Sequence, residues 1–248
     1  MSKDMEQKMT LSNNLEISAE TFTDRAEKFF SENENKKAIK CYLNSVLIKR
    51  LNPKAYKGLG IAYRNEKKYD KAIFALEKAK EMSPFDAEIY SELGICYLAQ
   101  GSICKAVKHF IKAIKIKPDN FDTQIQLAMA HEIMEEPEMA LMIYQRIIEK
   151  NPVFLKAYIQ KAALLMQMEK FAEACEIFRA ILKINPDYYR AYLGIGICFD
   201  KIGEETKAKR YYRKYLKLKP EASNSISVKH RMDSIELPVR ENFLKVCR

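Results

Sequence analysis

Large apolar and very small side chains stand along this chain in columns that return every 34 residues. The stretch Ala87 to Pro118 shows one unit, with Tyr90, Leu93, Gly94, Tyr97, Ala106, Phe110, Ala113 and Pro118 at its fixed points. Followed from Ala19, an aromatic near the start of the unit appears as Phe22, Tyr56, Tyr90, Tyr158 and Tyr192, with Gln124 the departure. Four residues later come Ala26, Gly60, Gly94, Ala128, Ala162 and Gly196, all small. Twelve further on stand Ala38, Ala72, Ala106, Ala140, Ala174 and Ala208, and four beyond those Tyr42, Leu76, Phe110, Tyr144, Phe178 and Tyr212. Two antiparallel helices approach to the short end of about 8–10 Å only where the facing residues are small. A large residue four positions after each alanine shares its helical face and fills the space beside the contact. Each unit is therefore predicted to be a helical hairpin, and the fold all-α.

Prolines at 84, 118, 152, 186 and 220 close the units, since proline cannot continue a helix and pushes its predecessor toward extended geometry. Asp86 and Asn120 follow two such prolines and are placed to cap the next helix. The register divides the chain into 19–52, 53–86, 87–120, 121–154, 155–188 and 189–222, after a polar tail over 1–18 that is expected to be flexible. The first unit departs, with Arg50 in place of proline and Arg25 where the later units mostly have Leu. Residues 221–248 are expected to form a capping helix and a tail. Ser223 is its candidate cap, Ile226, Met232 and Ile235 its apolar face and Pro238 its stop. Val239, Phe243, Leu244 and Val246 follow as a short turn or loose end.

Hydrophobic residues at 48% and charged ones at 31% suit a folded domain, and seven glycines and eight prolines suit long helices joined by short turns. The first twenty residues lack an apolar signal region, and no run approaches the roughly 18 apolar residues of a membrane span. A cytoplasmic protein is expected. Six scattered cysteines with no C-x-x-C pair read as reduced thiols in packing roles. Net charge is +10, and from Asp187 onward 14 Lys and Arg stand against 8 Asp and Glu, so much of the excess is C-terminal.

The columns and their period resemble those of the tetratricopeptide repeat (TPR), over roughly residues 19–220, with tryptophan replaced by Tyr or Phe. The resemblance implies six stacked hairpins in a right-handed superhelical solenoid whose concave wall is lined by the first helix of each pair. Neighbouring hairpins share one core and the last requires a cap.

No catalytic or metal-binding constellation is present, no cofactor is implied, and the chain reads as no enzyme. His131 takes a column otherwise held by Phe29, Tyr63, Tyr97, Leu165 and Phe199, which makes it a packing residue. Gly58-Leu59-Gly60 and Gly194-Ile195-Gly196 lie inside helices and follow no strand, so they serve packing rather than a nucleotide.

The family likeness implies that positions two, five, nine and twelve of each first helix face the groove. Here they supply an apolar stripe of Ile95, Leu98, Ile125, Met129, Ile159, Ala163, Met166, Leu193 and Ile197. Its rim is Lys54, Lys57, Arg64, Glu88, Asp122, Glu132, Lys156 and Arg190. Chaperone-binding members carry a polar carboxylate clamp on this wall. Lys57 matches one clamp position, but Ile61, Ile95 and Ile125 occupy others, so a clamp is not supported. The stripe fits a hydrophobic peptide or the apolar face of a partner's amphipathic helix, and the protein reads as a scaffold or adaptor for a protein partner. Packing between adjacent first helices is the other reading of the same residues.

A second function class is a basic module that binds RNA or another polyanion through Lys207, Lys209, Arg210, Arg213, Lys214, Lys217 and Lys219, although Tyr212 and Tyr215 fall in core columns. A third is self-association, with the tail around Phe243 and Leu244 entering a neighbour's groove.

Overall fold

The computed structural model describes residues 18–221 and 223–246, with side chains as far as Ile235. All but one residue of the expected N-terminal tail lie outside this range, as do the side chains of Phe243 and Leu244. Every described element is a helix, which makes the chain all-α. The described residues fall into two compact units that divide between Glu136 and Pro137, in the middle of the stretch 121–154.

The first unit holds α1 (18–31), α2 (Asn35–Ile48), α3 (Pro53–Asn65), α4 (Tyr69–Met82), α5 (Ala87–Ala99), α6 (Ile103–Ile116) and α7 (Phe121–Ile133). The second holds α8 (Pro137–Lys150), α9 (Leu155–Gln167), α10 (Phe171–Ile184), α11 (Tyr189–Ile202), α12 (Glu205–Leu218) and α13 (Ser225–Val246). Within them α1/α2, α3/α4, α5/α6, α9/α10 and α11/α12 are hairpins closed by turns of two or three residues.

The small and large columns do what their spacing predicts. All six alanines from Ala38 to Ala208 are completely buried, and so are Leu76, Phe110 and Tyr144 of the large column. A Cβ added at Gly94 would lie closer than 3.0 Å to the Phe110 ring, and one at Gly60 equally close to Leu76. Overpacking of this kind costs about 1–3 kcal/mol.

Each of the five hairpin turns, and the link between α7 and α8, holds one residue with left-handed backbone: Asn33, Lys67, Gly101, Glu135, Glu169 and Gly203, again 34 apart. Only two of the six are glycine, so the hairpin turn is set by packing and the periodicity of this column is invisible as residue type. The initial aromatic column has a second duty. The hydroxyls of Tyr90, Tyr158 and Tyr192 each donate to the carbonyl of the closing proline six residues earlier, at 3.0 Å. Gln124 donates to Pro118 at 2.6 Å, so the apparent exception keeps the hydrogen bond and gives up the ring. Asp86 and Asn120 accept from the backbone N–H of Glu88 and Thr123, as capping residues should.

The divergent first hairpin is pinned by a buried polar cluster. Thr23 and Ser45 share a hydrogen bond of 2.8 Å, both bond the Ala19 carbonyl, and Asn52 donates to Ser45 while capping α3.

The C-terminal helix departs from its predicted form. It starts at Ser225 after Asn224, whose carbonyl accepts from the Val228 N–H, so Ser223 lies outside it. Val228, Met232 and Ile235 form the buried face by their four- and three-residue spacing, whereas Ile226 is 69% exposed on another face. The helix also continues through Pro238, which removes one backbone bond without ending it.

Candidate functional site

At three places position twelve of one first helix lies near position six of the next, and the pair of residues found there sets the character of the wall. In the first unit Arg64 of α3 meets Glu92 of α5, with Nε to Oε2 at 2.5 Å and Nη2 to Oε1 at 3.3 Å. The two side chains are only 26% and 13% exposed. Burial raises the Glu92 carboxyl above the usual range, against the pull of Arg64. Lys57 is held between Asp86 at 2.9 Å and Glu88 at 2.7 Å, and Lys54 reaches Glu27 at 2.9 Å. The rim cations predicted on α3 are therefore bound to the neighbouring first helices.

The apolar stripe divides in the same way. Ile125 is fully buried, which corrects its assignment to an open groove: it is core. Ile95 and Leu98 pack against the cluster of Ala106, Phe110 and Ala130, and Met129 is half-buried. Asp122 and Lys156 are exposed and Glu132 is half-buried, and each is engaged by a neighbour.

The second unit keeps the wall open. Ile159, Ala163 and Met166 of α9 and Leu193 and Ile197 of α11 all line one cavity of about 440 Å³. Its junction pair is Met166 with Gly194, and a Cβ on that glycine would fall closer than 3.0 Å to the Phe178 ring of α10. Glycine here lets the ring form the cavity floor. Tyr188, Tyr189, Tyr215, Ser223 and Asn224 complete the lining, and Arg190 is its single charged residue. Tyr215 donates from its hydroxyl to Asn224, tying the far wall to the start of α13. Arg190 and Lys219 stand over the Tyr189 ring at 5.8 and 5.7 Å.

A smaller cavity of about 270 Å³ in the first unit repeats this arrangement in register. Phe30 and Gly58 form its junction pair, and Tyr42 takes the floor position of Phe178. Glu27, Lys54, Lys57 and Glu88 surround it with Ile61.

The cations on and just after α12 stand over aromatic rings of α11. Lys207 stands over Phe199 at 5.5 Å, Lys214 over Tyr192 at 5.4 Å and Lys219 over Tyr189, while Tyr212 and Tyr215 are buried as expected. His131 bonds Glu136 at 2.7 Å, and His109 stacks on Tyr97 with its pKa lowered by burial. Cys41, Cys96, Cys175 and Cys198 are buried and free, and Cys104 is exposed. Burial pushes the Cys96 and Cys198 thiols up to about 12, which keeps them protonated and unreactive. Among the described residues no group of three or more potential ligands could hold a metal ion, and no helix is long and apolar enough to cross a membrane.

The junction column is the part of the site that sequence reading missed. Position six reads Asp24, Gly58, Glu92, Gln126, Gln160 and Gly194, and its two glycines mark the two cavities.

Tetratricopeptide-repeat family models match residues 53–86, 87–120 and 159–223, together more than half of the chain. Among solved structures, the C-terminal part of a TPR repeat-containing protein from Cytophaga hutchinsonii is 16% identical, with a TM-score of 0.78 over 89% of this chain and 90% of that one. YrrB, a TPR protein with an unusual peptide-binding site, is 21% identical with a TM-score of 0.59, covering 76% of this chain and 97% of its own. MamA is 24% identical with a TM-score of 0.60, covering 69% and 94%. At these identities the likeness is one of fold. No match is found among curated protein sequences.

Proposed function

Since the chain belongs to the tetratricopeptide-repeat family, we propose that it is a non-catalytic protein-interaction scaffold that grips an apolar segment of a partner in the cavity between α9, α10 and α11. One observation carries this reading. The five stripe residues of α9 and α11 converge on a single open cavity with an aromatic floor and only one charge in its lining. A peptide or amphipathic helix would insert one or two large apolar side chains over Phe178 and Leu193, with Met166 adapting to their shape. YrrB, similar in fold, has a peptide-binding site of its own.

Arg190 and the cations above Tyr189 favour a segment whose apolar anchor is flanked by acidic residues, through faster encounter and a fixed orientation. No observation favours the polyanion-binding or self-associating readings.

The test uses peptides selected from a random display library on the wild-type protein. Ala163 is exposed at the cavity mouth, so Ala163→Trp fills the space without disturbing the core. It should weaken the selected peptides about tenfold or more by calorimetry while leaving the helical circular dichroism unchanged. Unchanged affinity in the Ala163→Trp protein would reject the site. Ile125 serves no such test, because a charge there would be buried in the core.

A further inference from the structure

The second helices of the hairpins α3/α4 and α5/α6 differ in how their charges are spent. In α4 three lysines stand with three acids, and Lys78 and Lys80 are bound to Glu81 and Glu77 of the same helix. In α6 there is no acid at all, and Lys105, Lys108, Lys112 and Lys115 are all exposed. They stand three, four and three residues apart, which sets them in line along one helix face. At 1.5 Å per residue the line runs for about 15 Å. Lys105 holds its ammonium over the Tyr97 ring at 5.4 Å. Among the described residues Lys108, Lys112 and Lys115 have no carboxylate partner. Like charges at this spacing repel, and the first turn of α6 carries Lys105 where the helix dipole favours an acid. Water tolerates that repulsion, and a line of carboxylates at the same spacing removes it.

The width of the charge decides what kind of anion fits. One repeat back, at the places of Cys104, Ile111 and Lys115, α4 has Asp70, Glu77 and Glu81. A membrane or a nucleic-acid duplex, broader than a helix of about 10–12 Å, would press its phosphates against those carboxylates as well. A single acidic helix lies along α6 alone. Ile111, three residues from Lys108 and four from Lys115, is 41% exposed and borders the line, so a helix with an apolar edge gains contact there.

We propose that the exposed face of α6 docks an acidic amphipathic helix of a protein partner. Its Asp and Glu side chains, three and four residues apart, face Lys105, Lys108, Lys112 and Lys115, and an apolar side chain covers Ile111. Exposed ion pairs contribute little singly, so the four act as a set and the affinity falls as salt rises. The surface stands apart from the apolar cavity of α9, α10 and α11, and either assignment can fail alone.

The experiment titrates the full chain, labelled at its isoleucine methyls, with an alanine-rich peptide of about twenty residues, long enough to be helical in water. The peptide carries four glutamates at the spacing of the lysines and one leucine beside them. The Ile111 methyl should shift saturably while Ile197, in the apolar cavity, stays unmoved. A peptide of the same composition with its glutamates spread around the helix should bind about tenfold more weakly. Lys108→Glu together with Lys112→Glu should weaken the in-line peptide by about tenfold or more, and both positions are exposed, so the fold is kept. Exchanging the two middle glutamates of the peptide for lysine should restore its binding to that variant. An equal response to the spread peptide, no rescue by the exchanged peptide, or no saturable shift at Ile111 would each overturn the proposal. So would a larger Ile111 shift with oligouridylate, with phosphatidylserine vesicles or with rising concentration of the protein alone.

Discussion

The Arg64–Glu92 junction of the first unit and the Met166–Gly194 junction of the second occupy equivalent places in the repeat, yet one closes the wall and the other opens it. In the first, two charged side chains span the gap between neighbouring first helices and neutralise each other largely out of water. In the second, glycine removes one side of the gap and the aromatic of the preceding second helix becomes its floor. Backbone packing is conserved between them because the contacts that hold each hairpin lie elsewhere, in the small and large columns. The repeat thus separates the positions that build the fold from those that shape its surface.

Breaking the closed junction should have the largest effect. Arg64→Ala leaves Glu92 mostly buried without its cation and is expected to cost about 3 kcal/mol in urea unfolding. Lys54→Ala, which breaks a mainly exposed pair with Glu27, should cost less than about 1 kcal/mol. Comparable losses would mean that burial does not distinguish the braces. Closing the open junction comes next. Gly194→Ala forces the Phe178 ring aside, with an expected loss of about 2 kcal/mol and weaker capture of selected peptides. A stable Gly194→Ala protein with full peptide affinity would show that the floor does not depend on the missing Cβ.

The last junction concerns the attachment of α13, and Ser223 and Asn224, just before that helix, line the open cavity. Asp200, at position twelve, accepts from Arg231 at 2.6 and 2.8 Å and from Tyr212, and these partners hold its carboxyl below the usual range. A depressed carboxyl pKa contributes stability above the unfolded value of about 4 and loses it as pH falls through the folded value. Amide protection factors over residues 225–235, corrected for intrinsic exchange, should therefore fall below about pH 4 in the wild type. Asp200→Asn should show faster exchange already at neutral pH, with a cost of about 1–2 kcal/mol. Exchange that ignores both changes would place the hold on α13 in Val228 and Ile235 alone. The last effect is a gain: Glu169→Gly relieves a left-handed backbone at φ 58° and should stabilise by about 1 kcal/mol.

Much of the fold was legible because helix packing writes itself into residue size. The alanine column, the Gly94–Phe110 contact and the caps at Asp86 and Asn120 all stand where spacing put them. The hairpin turns were harder to read, since left-handed geometry falls on Lys67 and Glu135 as well as on Gly101. The apolar stripe carries no information on depth. Ile125 and Ile159 hold the same position in neighbouring repeats, and only the three-dimensional surroundings make one core and the other cavity lining. The state of the charged rim is hidden for a related reason: a lysine or arginine in sequence carries no sign of the carboxylate that faces it, and Lys57 and Arg64 spend their charge on Glu88 and Glu92. Gly58 and Gly194 were assigned to packing along with Gly60 and Gly196, although a shift of two residues turns them from their own hairpin toward the preceding one.

Methyl spectra of the labelled protein, recorded as a display-selected peptide is added, test the scaffold assignment most directly. The expected result is saturable shifts at Ile159, Met166, Leu193 and Ile197 with Ile95, Leu98 and Ile125 unmoved. Shifts centred on Ile95 and Leu98, or spread evenly over both groups, would contradict it.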